Sequence, residues 1–364
     1  MFRCLTAALL LGQSLAYDTV LGFNSTPLVE TRSLDEIYHA ALLEGGTVTV
    51  WHGGDEKTQQ ESLKAAFENR FPGMMLNITV DLSKYLDGEI DRQLSNSNVY
   101  VDSIILQTLQ DFPRWQQEGA LLNYAPVGLE SVFSAFKDPL SASWYGYSIF
   151  FWSISWNTEK LPHVGNISSY NELLKPEFKN QLVLTYPNDD DAVLFAFYQI
   201  RHSMEVLGTK WFDGLLNQNP RWVRGTATPL TVLSEGNSTQ SVTFTSFGGF
   251  SPGENVNINF PNDANFVSWP QTAAILKNAP HPESAKLLHN YLLSPEYQST
   301  ISWSVRQDIH PPNSTYPDIM HMPHTNPTSF ARFMEDRVTV ERLRFFFESR
   351  LGTAQGLSPL IDDI

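Results

Sequence analysis

Apolar residues recur along the chain at two alternating spacings, one of about two residues and one of three to four. The alternation predicts strands followed by helices. Ser33 and Glu36 form an S-x-x-E capping box that opens a helix with Leu34, Ile37, Ala41 and Leu42 inward and Gly45-Gly46 as its stop. Thr47 to Trp51 is a β-branched run closed by a Trp, short enough for a buried strand. His52-Gly53-Gly54-Asp55 then turns the chain. From Glu56 to Arg70 the residues Leu63, Ala66 and Phe67 fall at helical spacing, until Pro72-Gly73 ends the helix. Met75 to Leu82 alternates as a second strand, Ser83 to Leu94 is helical, Val99 to Leu106 is a third strand, and Asp111 to Glu118 is a short helix. Strands alternating with helices imply parallel βαβ units and an open sheet covered on both faces.

The texture changes at Ala142 to Trp156, ASWYGYSIFFWSISW, which is dense in aromatics and fits two strands with Gly146 at a bend. A crossing between two lobes is placed here. Leu182 to Thr185, Pro187 to Asp191 and the helix Ala192 to Met204 form another strand–turn–helix unit, which opens the second lobe. Lys210 to Leu216 is another helix. Gly225 to Gly236 is a turn followed by a helix. Val242 to Thr245 and Val256 to Phe260 are strands on either side of Ser246-Phe247-Gly248-Gly249-Phe250. Trp269-Pro270 begins the return crossing, Pro282 starts a helix, and Val338 to Arg350 is the last one. His310 to Pro327, rich in Pro, His and Asn, reads as a long surface loop.

With 364 residues the chain exceeds one comfortable core, which supports the two-lobe division. A formal net charge of −15 argues against a nucleic-acid partner, since neutralising phosphates requires a basic face. Residues 1–16 have the form of a secretory signal: Arg3, the apolar Leu5 to Leu11, then Ser14-Leu15-Ala16. No later apolar run approaches the roughly 20 residues that span a bilayer, so no membrane insertion is expected. The single cysteine, Cys4, falls within the signal, so the mature protein is expected to have no disulfide, no thiolate nucleophile and no Cys-ligated metal. Five N-x-S/T sequons, at Asn24, Asn77, Asn166, Asn237 and Asn313, are compatible with a glycosylated, secreted eukaryotic protein. A bacterial periplasmic protein is the competing reading.

Several stretches resemble, in order, the extracellular solute-binding proteins of ABC importers, and among them the iron and thiamine group. They are VTVWHGG with its helix to FPG, the Asp102 strand leading to WQQEGALLNY, WSISWNTEKL, SYNELLKPEFKNQLVLTYP, and QTAAILKNAPHPESAKLLHNYLLSPEYQ over Gln271 to Gln298. The resemblance implies a type 2 periplasmic-binding-protein fold: two α/β lobes, each an open mixed sheet flanked by helices, joined by crossover strands. A small molecule would bind in the cleft by closure about the hinge. The corresponding division is 17–45 as an N-terminal leader and helix, 46–141 plus 267–364 as lobe 1, and 142–266 as lobe 2. A monomer is expected, with a membrane permease as partner if the source is bacterial. Iron-binding members hold ferric ion with adjacent tyrosines, but the matching strand here ends Thr245-Ser246-Phe247-Gly248-Gly249 without one. Metal binding therefore stands as the alternative. An enzyme on this scaffold is a further alternative, without catalytic residues to name and with no cofactor implied.

The cleft of such a fold is built from turns at the carboxyl ends of strands. On lobe 1 these supply Trp51, His52, Gly53, Gly54, Asp55, Gln107 and Thr108; on lobe 2, Asn188, Asp189, Thr226, Ser246, Phe247, Gly248 and Gly249. Tyr145 and Tyr147 stand at the crossing and Trp269 at the return. Paired glycines at helix starts would let free N–H groups approach an anionic or oxygen-rich ligand, with the aromatics stacking on it. Asp189-Asp190-Asp191 reads more simply as a helix cap than as a cation site. Prolines among His310, His321 and His324 forbid the helical spacing that makes H-x-x-H ligands converge, and a solvated loop is the simpler reading.

Overall fold

Local signals fix most of the first half. In the computed structural model, which describes residues 17–18, 23–24, 26–203, 208–310 and 315–361, Ser33 and Glu36 close the expected capping box. It opens α1 (Leu34–Glu44), and Gly45, at φ 129°, ends it. The signal at 1–16 and the sequon at Asn313 lie outside the described residues, as does the side chain of Asn24.

β1 (Thr47–Gly53) follows, then α2 (Glu61–Arg70), β2 (Met75–Asp81) and α3 (Ser83–Ser95). β3 (Ser103–Leu106) and α4 (Asp111–Gln117) complete this unit. The helix expected from Glu56 begins five residues later. Residue 56 is a bend and 57–60 are turns, stitched by Gln59 N–H to the Glu56 carbonyl and Glu61 N–H to the Thr58 carbonyl, both at 3.0 Å. β4 (Tyr145–Phe151) and β5 (Ile154–Asn157) carry the chain across to the second lobe. There β6 (Val183–Thr185), α5 (Asp191–Ser203), α6 (Gly208–Asn217) and β7 (Arg221–Val223) follow in order. α7 (Thr228–Ser234), β8 (Val242–Thr243) and β9 (Val256–Asn259) complete that lobe's sheet region. The return strand β10 (Ser268–Ile275) is buried along its whole length. α8 (Pro282–Leu292), α9 (Pro295–Gln298), α10 (Ser329–Glu335) and α11 (Arg337–Leu351) close the chain.

The lobe 1 sheet has the order β2-β1-β3-β10-β4. β1 runs parallel to β2 and β3, while β10 is antiparallel to β3 and β4. The sheet is therefore mixed, because its last strand returns from the other lobe. Gly146 stands where the β10–β4 register shifts, and a Cβ there would lie 2.5 Å from the Pro270 Cβ. In lobe 2, β5 is flanked by antiparallel β8 and β9, β6 pairs in parallel with β7, and a Leu182–Val242 bridge joins the two sets.

Two sequence-based boundaries move. α1 packs into the lobe 1 core through Ile37 and Ala41, so it belongs with that lobe rather than with a leader. α10 and α11, placed with lobe 1 by sequence, pack into the lobe 2 core through Phe330, Phe333, Val340, Leu343 and Phe347. The reason lies in α5, whose residues 192–197 are all buried. Six consecutive buried residues put apolar side chains all round this half of the helix, which needs cover beyond its own sheet. Phe333 meets Phe195 at 4.8 Å and Phe347 meets Phe197 at 5.5 Å between ring centroids. The stretch expected as a surface loop also sinks two anchors, Ile319 and Met322, into the lobe 1 core.

Candidate functional site: the interlobe cleft

Strand ends from both lobes converge on a cavity of about 540 Å³. This lies within the range of small-molecule sites. Lobe 1 contributes the turn after β1, the first residues of α3, and Gln107-Thr108 after β3. Lobe 2 contributes Asp189 to Asp191, Gly225 to Ala227, and Phe247 to Gly249. The crossover strands β4 and β10, with Trp152 just after β4, add an aromatic wall of Tyr147, Phe150, Trp152 and Trp269. Phe150 stacks on Trp269 with centroids 5.7 Å apart, and Phe247 packs on Phe150 at 4.6 Å.

The lobes touch across the cleft through polar side chains. Asp55 Oδ2 accepts from the Thr226 amide at 2.7 Å and from the Thr226 hydroxyl. Lys84, in the first turn of α3, donates to the Asp189 carbonyl at 2.6 Å and to its Oδ1 at 3.1 Å. Arg224 donates to the same carboxylate at 2.8 and 3.2 Å. Burial opposes ionisation of Asp189, but the bonds from Arg224 and the Lys84 charge outweigh it and hold its pKa below the usual value.

Asp190 is treated differently by its surroundings. Its Oδ1 caps α5 by accepting the Val193 amide at 2.8 Å, and among the described residues it has no ion-pair partner. Burial, and then the nearby Asp55 carboxylate, push its pKa up to about 7. Asp55 is raised too, chiefly by burial. Two polar groups in the wall have no protein partner: the Trp152 indole Nε1 and the Thr108 hydroxyl, on residues 2% and 4% exposed. A buried donor without a partner has lost its water for nothing in return unless a ligand meets it.

Residues 106–312, more than half of the chain, match the family described as bacterial extracellular solute-binding protein. The chain belongs to that family. Solved structures share the solute-binding protein's fold at low sequence identity. One is the periplasmic binding protein AfuA from Actinobacillus pleuropneumoniae with exogenous fructose-6-phosphate bound, at TM-score 0.63 and 17% identity, covering 85% of this chain and 99% of that one. A second is the substrate-binding protein of an ABC transporter from Agrobacterium tumefaciens, at TM-score 0.69 and 13% identity, covering 84% and 95%. A third is iron-bound HitA from Pseudomonas aeruginosa, at TM-score 0.58 and 15% identity, covering 82% and 99%. A search of curated proteins by sequence finds no match.

Within this solute-binding protein, Gly53, Gly54, Asp55, Gln107, Thr108 and Tyr147 line the cleft from lobe 1 and the crossover strand β4. Asp189, Thr226, Phe247, Gly248, Gly249 and Trp269 face them. Five anticipated residues do not line it. Trp51 points to the opposite face of β1, edge-on to Tyr100 at 5.7 Å. His52 is wholly buried beneath the cleft. Its Nδ1–H donates to the Gly53 carbonyl at 2.8 Å, so Nε2 is the acceptor for the Tyr147 hydroxyl at 2.9 Å. Burial lowers the His52 pKa to about 4, and the ring is neutral. Tyr145 turns into the core and bonds His289 at 2.8 Å. Ser246 is buried and donates to the Thr226 carbonyl, and Asn188 donates to the Gly352 carbonyl at 3.1 Å.

The glycine pairs also serve another purpose than the one anticipated. Neither opens a helix: α2 starts eight residues after Gly53, and Gly248-Gly249 leads towards β9. The Gly54 amide is spent on the Asp81 carbonyl at 3.0 Å and the Asp55 amide on Gln59 Oε1 at 2.9 Å. What these positions require is space. A Cβ on Gly53 would fall 1.9 Å from Ser83 Oγ, and one on Gly54 would fall 2.6 Å from Gln59 Oε1. Lys84, Phe150 and Trp152 were not marked by sequence as cleft residues, and Asp190 was legible there only as part of a helix cap. For Lys84 a signal existed, since it follows the carboxyl end of β2 as the anticipated residues follow their own strands.

Proposed function

We propose that this solute-binding protein captures a small organic cation in the interlobe cleft, between the Asp55–Asp190 carboxylates and the aromatic wall, and releases it unchanged. The observation that carries this reading is Asp190, a carboxylate lining the cleft beside a second one; the Lys84 and Arg344 charges reach it, but among the described residues none forms an ion pair with it. A bound ammonium group would relieve both the like-charge repulsion and the burial penalty. Aromatic faces attract a desolvated cation by about 0.5–2 kcal/mol. Conversely, the cationic side chains that would hold an anion are occupied, and the unpartnered Trp152 and Thr108 donors carry no full charge to offset one. Lys84 and Arg224 are spent on Asp189, and the Thr226 amide on Asp55. This favours a cation over the anionic solute that the glycine turns suggested.

Turnover has little support. The Ser103–His289 contact at 2.8 Å joins residues that are 0% and 1% exposed, away from the cleft lining. Among the described residues, no group of three His, Cys, Asp or Glu side chains is placed to hold a metal ion, and no helix is long and apolar enough to cross a membrane. With the expected signal at 1–16, the protein would act outside the cytoplasm and hand its solute to an ABC-type permease. Asn77, Asn166 and Asn237 are exposed, as glycosylation in a eukaryotic host would require.

Thermal shift against putrescine, spermidine, choline and thiamine, with fructose 6-phosphate, citrate and Fe(III) as the opposing set, tests the reading. A ligand at 100 times its Kd stabilises by about 2.7 kcal/mol. Stabilisation by at least one cation is expected. Stabilisation by the anions alone, or by Fe(III) alone and reversed by chelator, would overturn it.

A further inference from the structure

Residues 352–361, after α11, pack back on the molecule. Three contacts fasten this region to the lobe 2 rim of the cleft. Arg344, on α11, forms an ion pair with Asp191 at the start of α5. Gly352, which ends α11, gives its carbonyl to Asn188 Nδ2. Pro359 is buried, lines the cleft, and packs against Gly225, where a Cβ would lie 2.5 Å from its own. Gly225 also sits at φ +76°, so a side chain is disfavoured there on two grounds.

Asn188 and Gly225 follow the ends of β6 and β7, which are parallel neighbours. The segment from Gly352 to Pro359 therefore passes over both strand ends that present Asp189 and Thr226 to the cleft. Between its two anchors it is mostly exposed: Thr353 and residues 355–357 face solvent. A span held at two points with little buried between them opens at low cost compared with the core. It also lies beyond residue 312, where the family match ends.

We propose that residues 352–361 form a lip on the solute cleft, with Pro359 as its contact residue, which limits solute size on the Gly225 side and slows exchange. The proposal rests on the cleft being the solute site, and its first readout needs no solute. Two variants are compared with the intact protein: Pro359→Gly in the full chain, and a chain ending at Gly352. Hydrogen exchange of the ligand-free protein reads the amides of residues 225–227, and stopped-flow tryptophan fluorescence reads binding of putrescine and the bulkier thiamine. Exchange at 225–227 is expected to quicken about tenfold in both variants. Association and dissociation of the probe should both speed up, with the larger gain for thiamine. If the shortened chain does not fold, Pro359→Gly alone decides. Unchanged exchange at 225–227, or unchanged rates for a cation that binds, overturns the lip. If neither cation binds the intact protein, the cation reading fails while the exchange readout still decides whether the segment covers the turn.

Discussion

Asp190→Asn separates a solute-binding carboxylate from a helix cap. The amide oxygen of Asn can accept the Val193 N–H as the carboxylate does, and Asn is as good an N-cap as Asp. What changes is the charge. The pKa of Asp190 rises from 3.8 to about 7 in the folded protein, through burial first and the Asp55 charge second. A raised acid pKa means that the folded state holds its proton when the unfolded chain has lost it. Stability is therefore lost as pH rises from about 4 to about 7, and the loss is complete above that. At about 1.4 kcal/mol per pKa unit the ceiling is about 4 kcal/mol. Relaxation of a half-buried group reduces this, and about 1–3 kcal/mol is expected. Ligand-free Asp190→Asn should thus melt roughly 2–6 °C higher than the parent at pH 8, with the difference shrinking towards pH 4. Cation affinity should move the other way. Loss of a hydrogen bond to a charged group costs about 1.5–3 kcal/mol, or roughly a 10- to 100-fold rise in Kd. Melting curves across pH and calorimetric titration with the cation found by thermal shift measure the two. A variant that is less stable at pH 8, or that binds the cation unchanged, would show Asp190 to be a cap and nothing more.

Three further outcomes follow from the same geometry. Binding of a cation should release up to one proton below about pH 7 and none well above it, seen as buffer-dependent binding enthalpy, because the bound charge lowers the Asp190 pKa. Asp55→Ala removes a buried contact between the lobes and should shift the ligand-free protein towards an open form. The effect is about 1.5–3 kcal/mol, visible as a larger radius of gyration in solution scattering, and an unchanged radius would deny the contact any role in closure. His52→Ala should lower stability by about 2–4 kcal/mol, since it empties a fully buried site and leaves the Tyr147 hydroxyl unpaired. A melting temperature within a degree of the parent would contradict that account.

The hydrophobic pattern by itself determined most of the order of strands and helices, while two lobes were expected from chain length and the family resemblance. The order depends on period and burial, which are written locally. The S-x-x-E cap of α1 and the Asp190 cap of α5 were legible for the same reason: each bond spans three residues. The strand-end turns were legible as a class, and most of them do line the cleft. Their chemistry was not. Whether a Gly54 or Thr226 amide is free depends on which distant acceptor reaches it, and Asp55 reaches Thr226 from 171 residues away. Trp51 and His52 were indistinguishable as neighbours in one strand until the sheet's two faces acquired different cover. Likewise, the apolar stripe of α11 announced that it would be buried but not against which lobe. That was decided by α5, whose run of buried residues 192–197 leaves an apolar face that α10 and α11 cover. Period fixes which residues go inside. Only the tertiary structure settles what they meet there, because partners are chosen by shape, charge and unmet hydrogen bonds across the whole chain.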